Sequence, residues 1–361
     1  MSKIQDKYRG CLLGLAAGDA MGLTVDNKSW EQIQESYGPN GLLGYDLQRE
    51  EYAEITSHTQ LAAYLSNALL LCATRRGTGT PMGYLQLGLK EWTRSQQFHR
   101  DPEKSYCWIA KLPAFRRRHC RDARMLDNLR LGALGTPEKP SNSHNSPGSL
   151  ISAVAIGMYF HPERMEPMQI GQLAAQTVAL THGDPQAFLS AAVLAYAIAG
   201  ILQEPEVSLR DHYASAIAAM DQQFKNKFSQ AYTVASYLSD VLEQADQDFF
   251  PRRDIMEKLQ CRTALEVLGG AMYASLLCQD NFDGAMITAV NHSGYSSAVA
   301  AVTGALLGAH MGCEALPEFY MESLEVKEPL WYLADDMVSG TPITGIFDDD
   351  WDQKYTHGMP L

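Results

Sequence analysis

Four polar segments in this 361-residue chain carry side chains able to bind a ligand or move a proton. The first runs from Gly18-Asp19-Ala20 to Asp26, and the second is Glu54-Ile-Thr56-Ser57-His58-Thr59-Gln60. The third is Thr181-His182-Gly183-Asp184, and the fourth is Asn291-His292-Ser293-Gly294-Tyr295-Ser296-Ser297. Carboxylates and neutral imidazoles accept protons, and hydroxyls and amides orient a ligand. Each segment falls where a helical pattern starts or stops. Helix ends leave backbone N–H and C=O groups unpaired, so ligands bind there readily. The same residues also cap helices: Thr56 or Ser57 for the helix that follows, Asp184 for another, and Ser296 or Ser297 for a third.

The elements that must position these segments are helical. Gln60–Arg76 has apolar residues at 61, 64, 65, 68, 69 and 71, with two arginines in its last turn, where cations suit the helix dipole. Gly77 to Pro81 breaks it. Asp184-Pro185 opens an apolar run to Leu202, with Asp as N-cap and Pro in the first helical position. Thr263–Cys278, Phe282–Val290 and Ser296–Met311 read as further helices. Period-two alternation is scarce, which argues against a sheet.

Two ladders stand out. Gly10, Gly14, Gly18 and Gly22 are spaced by four, as are Ala300, Gly304, Gly308 and Gly312. Such positions share one helix face, and a face without side chains lets another backbone come close. Tight helix packing is the first expectation, with one ladder ending beside a ligand as the functional one. The polar stretch from Thr136 to Gly148 reads as a loop between apolar helices, so a single domain over residues 1–361 is expected.

Composition narrows the class. The chain is 46% hydrophobic and 20% charged, which supports a large core, and its net charge is -13. No basic stripe alternates with aromatics, so no nucleic-acid partner is expected. The one basic cluster, Arg116, Arg117, Arg118 and His119 with Arg121 and Arg124, reads as a solvated helix end. The longest apolar run, around Ala191 to Leu202, is shorter than a membrane span, so no membrane partner is expected. Seven cysteines without a C-x-x-C pair argue against a disulfide framework and a thiolate zinc site, and fit a cytoplasmic location.

The order and spacing of the segments resemble the ADP-ribosylglycohydrolase family, also called the dinitrogenase-reductase-activating glycohydrolase fold. RGCLLGLAAGDAMG resembles the family's first helix and its Gly-Asp-Ala signature. EITSHTQLA stands where the family has Thr-Asp-Asp-Thr-Gln. NSPGSLISAVAIGMYF is similar to a shortened form of its Ser-x-Gly to Met-Arg segment, and THGDPQAF resembles its Thr-His segment. NHSGYSSAVAAVTGALLGAHMG resembles Gly-Gly-Asp-Thr-Asp-Thr and the helix after it. Trp351-Asp-Gln-Lys-Tyr355 is similar to the terminal Trp-x-x-Arg-Tyr. The resemblance covers nearly the whole chain. It implies an all-α, compact orthogonal multi-helix bundle that removes ADP-ribose from conjugates with two magnesium ions in a central cleft.

Carried over by position, the resemblance implies a changed site. Both aspartates of Thr-Asp-Asp-Thr-Gln are replaced, by Ser57 and His58, and both of Gly-Asp-Thr-Asp-Thr, by Tyr295 and Ser297. Magnesium wants hard oxygen ligands, mostly carboxylates. Thr56 and Asp26 remain, and the Tyr295 phenol adds bulk, so no metal ligand set and no cofactor is expected. Asp26 and His58 become the candidate catalytic residues. The candidate ligand-binding residues are Asp19, Thr56, Ser57, Asn145, Ser146, Gly148, His182, Asn291, Gly294, Tyr295, Ser296 and Ser297.

The first expectation is a pseudoenzyme that binds ADP-ribose or a related nucleotide sugar, free or on an ADP-ribosylated protein. An alternative is a hydrolase of an N- or O-glycosidic ADP-ribosyl bond. It would use Asp26 with His58, His182 and His292, or a softer metal such as zinc on those histidines. A second alternative is a non-catalytic partner-binding protein whose cleft is filled.

Overall fold

The computed structural model describes every residue except 1, 48–50, 76–77, 98–100, 121, 248–250, 341–348 and 357–361. Seventeen α-helices form among the described residues. The first four are α1 (Lys3–Leu23), α2 (Trp30–Tyr37), α3 (Ser57–Thr74) and α4 (Pro81–Ser95). A stretch of short 3₁₀ turns leads to α5 (Ala123–Leu131), then α6 (Ser152–Tyr159), α7 (Pro167–Ala179) and α8 (Pro185–Gln203). Next come α9 (Leu209–Phe224), α10 (Gln230–Ala245), α11 (Arg252–Leu259) and α12 (Ala264–Leu277). The chain ends with α13 (Phe282–Val290), α14 (Ser296–Met311), α15 (Glu318–Glu322), α16 (Lys327–Ser339) and α17 (Asp349–Tyr355). No strand forms among the described residues; a lone bridge joins Ala53 to Leu324. The expected all-α class therefore holds.

The two ladders face each other. Gly10 lies against the Gly308 carbonyl, Gly14 against that of Gly304, and Gly18 against that of Ala300. The numbers run in opposite directions, so α1 and α14 are antiparallel. A Cβ at Gly10, Gly14 or Gly18 would collide with partner backbone, which cannot swing aside as a side chain can. The ladder ends at Gly22, where a Cβ would stand 2.5 Å from Ser297 Cα. Close backbone packing thus fixes the start of α14, where the fourth polar segment meets the first.

Local chemistry sets the helix starts. Ser2 and Gln5 form a capping box on α1, and Thr263 and Glu266 form another on α12. Asp184 accepts from Gln186 N at the start of α8, with Pro185 in the first turn, as its sequence predicts. Thr56, not Ser57, caps α3, accepting from His58 N. Neither Ser296 nor Ser297 caps α14: Tyr295 holds the cap position without a side-chain bond. Ser296 is committed elsewhere, its hydroxyl donating to Val290 O at 2.9 Å.

Other expectations change in three dimensions. Helix α8 forms from Pro185 as expected, but by length and composition it is long and apolar enough to cross a membrane, which the run around Ala191 to Leu202 was expected not to be. It packs against α6, α7 and α9, and most of it is buried in the protein. The basic cluster is not a solvated helix end. Arg116 lies in a 3₁₀ turn, and Arg117 pairs bidentately with Glu325 at 2.6 and 3.0 Å and reaches Glu54 at 3.3 Å. Arg76, Gly77 and Arg121 lie outside the described residues.

Candidate functional site

A cleft of about 480 Å³ opens where the first, second and fourth polar segments meet. That volume is in the range of small-molecule sites. Asp26, His58, Tyr295 and Ser297 form one part of its lining, and the loop from Ser143 to Gly148 another. Asp122, Ala123, Arg124, Arg262 and Ala298 complete it. Tyr295 stands on the lining and leaves the volume open.

Asp26 follows the end of α1 in a turn whose next residue, Asn27, takes φ +64°. Asparagine tolerates that left-handed conformation better than most residues. The turn brings Asp26 Oδ1 to accept from Ser297 N at 3.2 Å. The Ser297 hydroxyl has no hydrogen-bond partner, although the residue is fully buried from bulk solvent.

His58 is held from behind. Asp19 is fully buried at the core of α1, and five donors meet its carboxylate. Oδ2 accepts from Thr56 N, Thr59 N and Thr59 Oγ1 at 2.8, 3.1 and 2.6 Å. Oδ1 accepts from Thr56 Oγ1 at 2.6 Å and faces His58 Nδ1 at 3.3 Å. Burial alone would raise the Asp19 pKa. The hydrogen bond and charge of His58, with the two threonine hydroxyls, outweigh it and hold the group below its ordinary value. Because Thr56 Oγ1 gives its proton to Asp19, it accepts from His58 Nδ1 at 3.0 Å. Nδ1 therefore carries a proton, and Nε2 is the nitrogen left for the cleft.

The other candidates divide. Asn145, Ser146 and Gly148 line the cleft. Asp19 and Thr56 lie behind it as the support for His58. Ser57 is buried, its N–H donating to His119 O at 3.3 Å. Asn291 ties Leu42 to the end of α13, donating to Leu42 O and Ile287 O and accepting from Leu42 N. Gly294 gives room to Cys261, whose Cβ would lie 2.7 Å from a Cβ placed there. Ser296 is fully buried beneath the cleft.

The three histidines do not converge. His292 Nε2 donates to Ala289 O at 2.9 Å, and its Nδ1 accepts from Gly294 N at 2.9 Å. Both ring nitrogens are thus spent within one turn. Burial, with the Arg262 charge, pushes its pKa down to about 4 against the Ala289 carbonyl, so it is neutral at pH 7. His182 is buried behind the loop, its Nδ1 2.8 Å from Ser149 Oγ and 2.9 Å from Thr181 Oγ1. Only His58 of the three reaches the cleft surface.

Residues that sequence reading missed hold the far wall. Asp122 caps α5, accepting from Met125 N at 2.9 Å, and also meets His182 Nε2 at 3.1 Å and the Ser146 hydroxyl. Burial would raise its pKa; His182, Ser146 and the helix N–H reverse that and hold it well below the usual carboxylate range. Arg262 follows two strained residues, Gln260 at φ +60° and Cys261 at φ +53°. Each such residue costs on the order of 1 kcal/mol. The strain is held by tertiary bonds: Tyr295 N donates to Cys261 O at 2.9 Å, and Arg262 Nη2 to Ser293 O at 2.8 Å. Strained backbone concentrates at functional sites, and here it sets Arg262 at the rim. Asp122 and Arg124 sit in the arginine-rich stretch, where their types were visible but not their partners.

The helical bundle thus holds a polar cleft lined by two arginines, two carboxylates and a supported imidazole. The ADP-ribosylglycohydrolase family model matches residues 1–345, and the chain belongs to that family. It is similar to an uncharacterized protein of Archaeoglobus fulgidus, 25% identical over 344 residues, spanning 92% of this chain and 95% of that one. It is also similar to ADP-ribosylhydrolase ARH3 of Bos taurus, 22% identical over 363 residues, spanning 92% of each chain. A solved structure described as an ADP-ribosylglycohydrolase-related protein complex superposes with a TM-score of 0.62. That likeness, at 22% identity, spans 94% of this chain and 99% of the other and speaks to the fold.

The donor set does not fit the family's two magnesium ions. Among the described residues no three His, Cys, Asp or Glu side chains are grouped to hold a metal. Around Asp26 stand an imidazole, a phenol and a hydroxyl. Hard divalent cations need several carboxylate or carbonyl oxygens.

Proposed function

We propose that the protein binds ADP-ribose or a related nucleotide sugar in this cleft and does not perform the two-magnesium hydrolysis of its family. One observation carries the reading. Three of the four positions that the resemblance assigns to metal carboxylates share one surface of an open cleft with Asp26. They hold His58, Tyr295 and Ser297, and an imidazole, a phenol and a hydroxyl suit a neutral polyol rather than a hard cation. Arg124 and Arg262 on the same cleft supply positive charge for an anionic part of the ligand.

Calorimetric titration with ADP-ribose, in magnesium and in EDTA, tests it. Equal binding in both is expected, and no binding in either overturns the ADP-ribose reading. Restoring the carboxylates as Ser57→Asp, His58→Asp, Tyr295→Asp and Ser297→Asp is expected to make binding depend on magnesium.

A second reading, a metal-independent hydrolase, is favoured by the Asp19–His58 pair. A buried carboxylate that fixes an imidazole tautomer is the arrangement of a general base. Asp26 would then be its partner at the glycosidic bond. Release of ADP-ribose from a modified protein, abolished by His58→Ala, is the expected sign of it. Its absence from the wild type removes this reading.

A further inference from the structure

Three features of the far wall converge on one carboxylate. Ser146 Oγ bonds Asp122 Oδ2, and His182 Nε2 lies 3.1 Å from the same oxygen. Gly148 lacks a side chain where one would collide with Asp122: its Cβ would stand 2.5 Å from Oδ2 and 2.7 Å from Cβ. The donors are themselves fixed. His182 is fully buried, and the hydroxyls of Ser149 and Thr181 hold its other nitrogen. This is the construction of an anion site: a hydroxyl, a ring N–H and a gap that lets the anion approach. The anion in it belongs to the chain.

We propose that Asp122 is a tethered anion that fills the Ser146–His182–Gly148 subsite and excludes phosphate from that end of the cleft. The proposal rests on reading the cleft as a ligand site and assigns its selectivity. The far wall around Asp122 takes a neutral or cationic group, and Arg262 at the rim takes the ligand's anionic part. A phosphate brought to Ser146 and His182 would meet an ionised carboxylate already bound there. Like charges at contact in a partly buried site repel strongly. Asp122 also stays ionised at neutral pH, because its partners favour the charged form.

The test is Asp122→Ser, which removes the charge while serine keeps the cap on α5. Asp122→Asn keeps the shape and removes the charge. Inorganic pyrophosphate is titrated into the wild type and both variants, with circular dichroism as a control for folding. At least tenfold tighter pyrophosphate binding by Asp122→Ser is expected, with a smaller gain for Asp122→Asn. The His182 ring ¹⁵N resonances should shift on addition of pyrophosphate in Asp122→Ser and stay in place in the wild type. Equal affinity in all three folded proteins, or no pyrophosphate binding by any, overturns the proposal. ADP-ribose separates it from the function it rests on. If pyrophosphate binding tightens but no protein binds ADP-ribose, the subsite stands and the ADP-ribose reading falls. If ADP-ribose binds and pyrophosphate affinity does not change, the cleft reading stands and the tethered anion falls.

Discussion

Replacing Gly22 by alanine should damage the cleft from the outside. A Cβ there stands 2.5 Å from Ser297 Cα and 2.6 Å from both the carbonyl carbon and oxygen of Ser296. Carbon atoms in contact need about 3.5–4.0 Å, so the start of α14 must move by about 1 Å. All three obstructing atoms are backbone, and the last turn of α1 is buried, so no side chain can yield instead. Overpacking of this kind costs about 1–3 kcal/mol. Alanine's better helix propensity returns at most about 1 kcal/mol, and less near a helix end. The net loss is about 1–2 kcal/mol. With unfolding entropy near 2.1 cal/mol/K per residue, that lowers Tm by about 2 °C in a chain of 361 residues. The displacement also carries Ser297 N away from Asp26 Oδ1, now 3.2 Å apart, so ligand affinity should fall about tenfold or more. Calorimetry reads both quantities. Gly83→Ala is the control, since its Cβ would meet only Thr80 Oγ1 at 3.6 Å, and it should leave affinity unchanged. A Gly22→Ala protein with wild-type Tm and affinity would refute the close-packed account of how this wall is built.

Asp19→Asn should cost about 3 kcal/mol or more in urea unfolding, because it leaves a buried imidazole and four other donors facing an amide with fewer acceptor sites; a loss under 1 kcal/mol would show that the network is not structural. His292 binds protons less readily when folded, its pKa pushed down to about 4 against an unfolded value near 6.5. The unfolded chain then takes up more protons between those values, so the folded state loses stability as pH falls through this window and recovers it as pH rises. The loss is up to about 3 kcal/mol. The urea midpoint should drop from pH 7 to pH 5, and His292→Gln should flatten the dependence; an unchanged slope in the variant assigns the effect to other groups.

The sequence by itself determined the all-helical class and the course of several helices. Phe282–Val290 and Ser296–Met311 form at the predicted residues, because apolar period is a local property. The ladders announced a close helix contact, since only side-chain-free faces permit one, but not that they face each other. Asp26, His58 and Tyr295, each legible as a candidate in the sequence, stand on the cleft lining. Tertiary structure alone decided the rest. Asp19 and Thr56 went behind His58 and Asn291 to a brace, because a buried polar side chain turns to whichever partner the fold offers. His182 and His292, legible as imidazoles, were turned away by neighbouring hydroxyls and carbonyls. Asp122 and Arg262 were unremarkable as letters. One acquired its place by meeting Ser146 and His182 from other segments, and the other by following two left-handed residues whose strain only long-range bonds can hold.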